Sequence, residues 1–274
     1  MKFDFESYNK FFRHLQNDLI VSRSLSSIPL LPLLVFDRLN STNTKLWELI
    51  DRGECPIGAI ALQQTAGKGQ WGHSWVSEVG GLYLSVGLDL DLNIADYAHI
   101  VMATAWGIAT VLRHYQFPVT IKWSNDLILD RRKLGGIKIE SRNNKNKLIK
   151  AVIGVGINWR NSVPAPGINL ESYYQDKDII KISSLEKLTA IASYGILLGY
   201  KYYLAEGIEK LLARYSEICS SIGKQINLDG YNGEVIGVTT DGKLRVKLRS
   251  PGATTTVELA PGQISLGYDL AIDN

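Results

Sequence analysis

Between residues 82 and 90 apolar side chains occupy every second position: Leu82, Leu84, Val86, Leu88 and Leu90. That period of two predicts a β-strand. The alternation returns at Ile149, Ala151, Ile153, Val155 and Ile157. From Tyr97 onward the spacing differs, because Ile100, Val101, Ala105, Ile108, Ala109 and Leu112 recur at helical intervals. Leu185, Leu188, Ile191 and Ala192 mark one face of another helix over 184–219, divided near Gly207. A helix is also expected over 5–19, and Ser41 or Thr42 suits the N-cap of one running to Asp51. Further strands are expected at 33–36, 57–62, 120–123, 127–130 and 136–140, with a polar hairpin tip at 143–147. These strands follow one another through short turns, so the fold class is α+β: a mixed, largely antiparallel sheet flanked by helices.

After Ser220 and Ser221 the texture changes. Residues 223–266 read as short strands punctuated by Asp229-Gly230, Asn232-Gly233, Asp241-Gly242 and Pro251-Gly252. A small β-barrel of about fifty residues is expected there, too small to bury a large core alone. The expected organisation is therefore a main domain over 1–221 and a C-terminal domain over 222–274.

Composition adds bounds. The chain has 274 residues, 45% hydrophobic and 21% charged, as expected of a protein that buries a core. Its net charge of +3 is far from the cationic footprint of a dedicated nucleic-acid binder. Cys55 and Cys219 stand far apart with no Cys/His cluster, which points away from structural zinc and toward a reducing compartment. No stretch is expected to reach the ~18 apolar residues of a membrane span. The apolar run at 28–36 follows a charged amphipathic segment, unlike a signal peptide, so a cytoplasmic location is expected.

The densest chemistry lies at 67–75, Gly-Lys-Gly-Gln-Trp-Gly-His-Ser-Trp. Gly67, Gly69 and Gly72 allow close approach of backbone to an anionic ligand, and Lys68 adds a charged donor. The three glycines also spell G-x-G-x-x-G, and an acidic residue follows roughly 20 positions on. That fingerprint requires a helix opening on the glycines. Here Trp/Ser/Gly-rich residues and then a strand follow, which leaves no helix N-terminus for a pyrophosphate.

Other segments agree with this one, and together they resemble the biotin protein ligases. Ser41-Thr42-Asn43 is similar to the family's S-T-N element, and Gln63-Gln64-Thr65-Ala66 leads into the glycine run as its Q-x-x-G does. Lys122-Trp123-Ser124-Asn125-Asp126-Leu127 resembles K-W-P-N-D-L, and Arg132-Lys133-Leu134-Gly135-Gly136-Ile137 resembles R-K-L-x-G-I. Gly154-Val155-Gly156-Ile157-Asn158 looks like G-x-G-I-N, and Pro261-Gly262-Gln263-Ile264-Ser265-Leu266 matches the closing G-x-I-S-L of an SH3-like domain. Some family members carry an additional winged-helix domain. Barely forty residues precede Ser41, so the expectation is a form without it and without DNA binding.

The resemblance implies a two-step reaction. Biotin is activated with ATP as biotinyl-5′-AMP, then transferred to a lysine of a biotin carboxyl carrier protein, with acetyl-CoA carboxylase as the implied owner of that carrier. Negative charge grows on phosphorus oxygens, so cationic donors and a divalent metal should dominate. Lys133 and Lys122 fall on the family's lysines, with Lys133 expected to bridge biotin carboxylate and α-phosphate. Ser41, Thr42, Asn43, Gln64, Lys68, Gly69 and Gln70 are expected on biotin with Lys133. Gly67, Lys68, Gln70, Trp71, His73, Trp75, Asn125, Asp126 and Asn158 are expected on the adenylate, and Asp126 on Mg2+. Ser41 and Thr42 also suit plain helix caps. The implied partners are biotin, ATP and the carrier, with neither DNA nor membrane, in a monomer or a homodimer.

One departure stands out. The family's loop commonly reads G-R-G-R-x-G-R, and Lys68, Gln70 and His73 replace the arginines here. Lysine loses bidentate geometry, glutamine carries no charge, and histidine is only partly charged near neutrality. A weaker hold on the adenylate is expected. Two alternatives stay open: a lipoate-type ligase of the same fold, and a biotin binder without catalysis.

Overall fold

The computed structural model describes residues 3–19, 21–22, 25, 27–175, 182–251 and 253–268. Strands β1 (Leu33–Leu39), β2 (Ile57–Gln64), β3 (Leu82–Asn93), β4 (Thr120–Lys122), β5 (Asp126–Leu129), β6 (Arg132–Asn144) and β7 (Lys147–Ile157) build one seven-stranded sheet. Its order is β1-β2-β3-β7-β6-β5-β4. β1 and β2 run parallel, and helix α2 (Thr42–Asp51) supplies the crossover that a parallel pair requires. The remaining neighbours are antiparallel, as the short turns predict. β6 begins earlier than the apolar pattern indicates. Asp130 and Arg131, with φ of 51° and 58°, form a tight two-residue turn that returns the chain at once.

β3 departs from simple alternation. From Leu82 to Leu88 every residue is buried, and exposed positions alternate only from Asp89 onward. The second face is covered by α2, whose Leu46, Leu49 and Ile50 pack with Ile57, Ala59 and Val152. The opposite face carries the main core with helices α3 (Tyr97–His114) and α5 (Leu185–Glu217). These two helices cross backbone to backbone. A Cβ at Gly107 would fall 2.1 Å from Gly195 O, and one at Gly199 would fall 1.9 Å from Ala103 O. The stretch Ile94–His114 is apolar and long enough for a membrane span, contrary to the sequence expectation. Two thirds of its most apolar window is buried, so that character serves the core.

α5 is interrupted at Gly207, where φ is 80°, close to the expected division. Its first half is buried all round, because the N-terminal helix α1 (Phe5–Asp18) packs on it as well. Tyr8 Oη and Ser193 Oγ are 3.2 Å apart, and Phe12 meets Tyr194 edge-on. A short helix, α4 (Leu170–Tyr174), follows the loop after β7.

Strands β8 (Gln225–Leu228), β9 (Tyr231–Val238), β10 (Leu244–Ser250) and β11 (Ala253–Leu259) form a second, four-stranded antiparallel sheet. Asp229-Gly230 and Asp241-Gly242 make turns as expected. Asn232-Gly233 instead lies inside β9, where Gly233 admits Leu248 from the facing strand. Gly252 of the Pro251-Gly252 pair lies outside the described residues. Val235, Val238, Leu244 and Val246 belong to the same core cluster as the main sheet.

Candidate active site

A cleft lies between the start of α2, the glycine run, and the adjoining strands β5, β6 and β7. Its polar end is a buried hydrogen-bond network. The amide and hydroxyl of Thr42 both donate to Gln64 Oε1, at 2.8 and 3.2 Å, and Gln64 Nε2 donates to Ser77 Oγ at 2.8 Å. Ser85 Oγ lies 2.7 Å from Thr42 Oγ1 and 2.6 Å from Asn43 Oδ1. Ser41 is the N-cap of α2, yet its side chain makes no capping bond. Helix capping therefore does not account for these hydroxyls. Among the described residues, Asn43 Nδ2 is buried without a partner.

The floor is backbone. A Cβ at Gly154 would lie 2.3 Å from Asn43 Oδ1, and one at Gly156 would lie 2.4 Å from Trp75 Nε1. The Trp75 indole thus rests on Gly156 of β7 and Gly136 of β6, and its Nε1 is a second buried donor without a partner among the described residues. An acceptor-bearing ligand laid along this floor would meet both donors.

The glycine run folds back on itself as a closed loop. Gly69 N donates to His73 O at 2.6 Å, and Trp75 N to Gly67 O at 2.9 Å. Those two amides serve the loop itself. Gly67 is required by packing, since a Cβ there would sit 2.4 Å from Trp75 O. Only the 3₁₀ turn Gln70–Gly72 follows the first glycines, so the dinucleotide fingerprint is excluded. Gln70 Nε2 donates to Ile137 O, the carbonyl that also accepts from Asn125 Nδ2. Gln70 therefore pins the loop to β6.

The charged end sits at the start of β5 and β6. Lys133 Nζ lies 2.7 Å from Asp126 Oδ1, and Tyr268 Oη donates to Asp126 Oδ2 at 2.6 Å. Lys122 faces Asp126 across the β4–β5 pair, with its Nζ 3.7 Å from the Tyr268 ring centroid. Burial, followed by the charge of Asp126, pushes the Tyr268 phenol well above its ordinary pKa, so it stays a donor. Asn158 lines an adjoining cavity with Trp75, Lys133 and Tyr268, and its Oδ1 accepts from Asn161 Nδ2.

Ser41, Thr42, Asn43, Gln64, Lys68, Gly69, Gln70, Trp75, Asn125, Asp126 and Lys133 share the central cleft. Trp71, His73 and Lys122 instead face a neighbouring cavity beside residues 261–266. Trp71 is exposed and rests against Gly262. Ser77, Ser85 and Tyr268 have no place in the sequence reading. Ser85 lies on the face of β3 opposite Leu84 and Val86, where it meets Thr42 and Asn43 of α2. Both thiols are inert by environment: burial pushes Cys55 up to about 11, and Cys219 is buried and raised as well. Neither lines the cleft.

The fold and this cleft define a mixed-sheet domain in which a lysine–carboxylate pair stands beside a polar pocket. Residues 35–158 match the model of the biotin/lipoate A/B protein ligase family. It is 28% identical over 229 residues to the bifunctional ligase/repressor BirA of Escherichia coli, covering 78% of this chain and 65% of that protein. To the biotin–[acetyl-CoA-carboxylase] ligase of Paracoccus denitrificans it is 27% identical over 124 residues, 44% of this chain and 52% of that one. The matches thus span less than two thirds of these relatives. In fold it is similar to the biotin protein ligase from Aquifex aeolicus in complex with biotin and ATP. That similarity has a TM-score of 0.63 at 19% identity, over 83% of this chain and 99% of the other.

Proposed function

We propose that the chain is an ATP-dependent biotin protein ligase that acts on a lysine of a biotin carboxyl carrier protein. The observation that carries this reading is the meeting, in one glycine-floored cleft, of two unpartnered buried donors with the Lys133–Asp126 pair. The names of the relatives, and the biotin and ATP bound in the similar structure, support it.

In this reading biotin's ureido ring lies at the Ser41, Thr42, Asn43 and Gln64 end, where a carbonyl oxygen meets Asn43 Nδ2. Its carboxylate reaches Lys133. A carboxylate oxygen attacks the α-phosphorus of ATP, the bond to the β-phosphate oxygen breaks, and pyrophosphate leaves. Two anions must approach, and the Lys133 ammonium offsets their repulsion inside a partly desolvated site. Asp126 holds that ammonium in place. Lys122 and Lys68 add positive charge, while Gly67, Gly69, Gln70, His73, Asn125 and Asn158 shape the adenylate side. Trp71 and Trp75 limit water, which protects the mixed anhydride. A carrier lysine amine then attacks biotin's carbonyl carbon, the bond to the AMP oxygen breaks, and the amide forms with loss of a proton.

An all-protein magnesium cage does not fit, because no cluster of three acidic, His or Cys side chains is found among the described residues. Asp126 fits as the single carboxylate near an ion that arrives with ATP, as magnesium favours. That ion would neutralise charge on the phosphate oxygens. The reading also carries a cytoplasmic setting, a monomer or homodimer, and a domain boundary at 221/222.

The test incubates the protein with ATP, magnesium and a carrier domain, adding biotin or lipoate, and weighs the carrier. A biotin-sized gain with biotin alone is expected, and Lys133→Ala should slow it by roughly a hundredfold or more. A gain with lipoate alone would move the substrate to the lipoate branch. No gain alongside measurable biotin binding would leave a binder.

A further inference from the structure

We infer that Tyr268 is a positioning residue for adenylate formation, holding Asp126 and Lys122 with one side chain; this rests on the ligase reading above. Tyr268 lies in the segment after β11, beyond the closing motif and in none of the motifs that carry the resemblance. Its hydroxyl donates to Asp126 Oδ2 at 2.6 Å, while the other oxygen of that carboxylate holds Lys133 at 2.7 Å. The Lys122 ammonium lies 3.7 Å from the centroid of the same ring, a cation–π contact. Tyr268 also borders both the cavity shared with Lys133 and Asn158 and the basic recess lined by Lys122, Arg131 and Lys224.

A carboxylate held through one oxygen rotates about its Cβ–Cγ bond; held through both, it has one orientation. The two hydrogen bonds to Asp126 therefore act together. The one from Tyr268 fixes the plane of the carboxylate, and the plane fixes where Lys133 points. The ring face draws Lys122 to the same corner by an independent contact. One residue of the C-terminal segment thereby sets the spacing of both lysines, against phosphates that must be met within a fraction of an ångström.

Two variants separate the contacts. Tyr268→Phe keeps the ring on Lys122 and removes the hydroxyl. Tyr268→Leu removes both. Pyrophosphate release dependent on biotin and ATP gives kcat and KM, and lysine labelling with acetic anhydride, read by mass spectrometry, reports Lys122 directly. Tyr268→Phe should lower kcat roughly tenfold, the cost of one hydrogen bond to a charged group, with KM for ATP within about twofold. Its Lys122 labelling should match wild type. Tyr268→Leu should raise Lys122 labelling about threefold or more and raise KM for ATP as well. A Tyr268→Phe kcat equal to wild type, or Lys122 labelling unmoved in Tyr268→Leu, overturns the assignment. If Tyr268→Leu fails to fold, the kcat-against-KM split of Tyr268→Phe decides alone. If wild type releases no pyrophosphate, the ligase reading falls and the inferred role in adenylate formation falls with it. The labelling then still decides whether the ring holds Lys122.

Discussion

Asn43 is 4% exposed and has only half of its amide satisfied: Oδ1 accepts from Ser85, and Nδ2 meets nothing among the described residues. A buried donor left open costs about 1–3 kcal/mol. Such a group persists where a ligand answers it. Asn43→Ala should weaken biotin binding by about tenfold in calorimetry while leaving the thermal midpoint nearly unchanged, because the variant also removes an unmet donor. Unaltered affinity would show that Nδ2 does not reach the ligand. The pocket residues at 41–43 and 64 were legible because they fall in motifs. Ser85 was not, since its importance depends on α2 covering the second face of β3, and one strand's alternation cannot report that. Tyr268 lies 142 positions from the carboxylate it touches, beyond any local pattern.

At the scale of elements, strand positions and the break at Gly207 follow from periodicity, while the α3–α5 crossing does not. A glycine inside a helix reads as a propensity cost of about 1 kcal/mol. Gly107, Gly195 and Gly199 carry that cost because the partner backbone occupies the space a Cβ would take. Gly199→Ala, favourable by propensity, should therefore destabilise the fold by about 1–3 kcal/mol through overpacking, read as a lower urea midpoint at constant slope. A stabilised variant would mean that the helices separate without cost. The tight turn at Asp130 and Arg131 was missed for a different reason. Asp130 tolerates the left-handed region, but Arg131 gives no such signal, so the pair does not read as a two-residue turn.

At the scale of the molecule, the change in texture after Ser221 correctly separates two sheets, yet their apolar residues form one cluster. Two polar latches reinforce that continuity at the β9–β10 turn. His99 Nε2 donates to Thr240 O at 2.8 Å, and Trp123 Nε1 donates to Gly242 O at 2.9 Å. His99 Nδ1 is paired with Tyr203 Oη at 3.0 Å, which ties α3 to α5 through the same ring. His99→Ala should raise amide exchange in the β9–β10 turn while the seven-stranded sheet keeps its protection. Equal exchange in both proteins would assign the docking to apolar contact alone.

The bond between Asp126 and Tyr268 also bears on biosynthesis. The acid emerges from the ribosome 142 residues before the phenol that fixes it. At about 5–20 residues per second, that interval is on the order of ten seconds. In its last part, once α5 (Leu185–Glu217) has followed β6 and β7, a nascent chain holds the polar pocket and both lysines, but not the contact that orients them. On the proposed ligase reading, a chain stopped short of residue 268 would therefore bind its small acid and activate it poorly. Premature products would act as sinks for the substrate rather than as sources of stray activated acid.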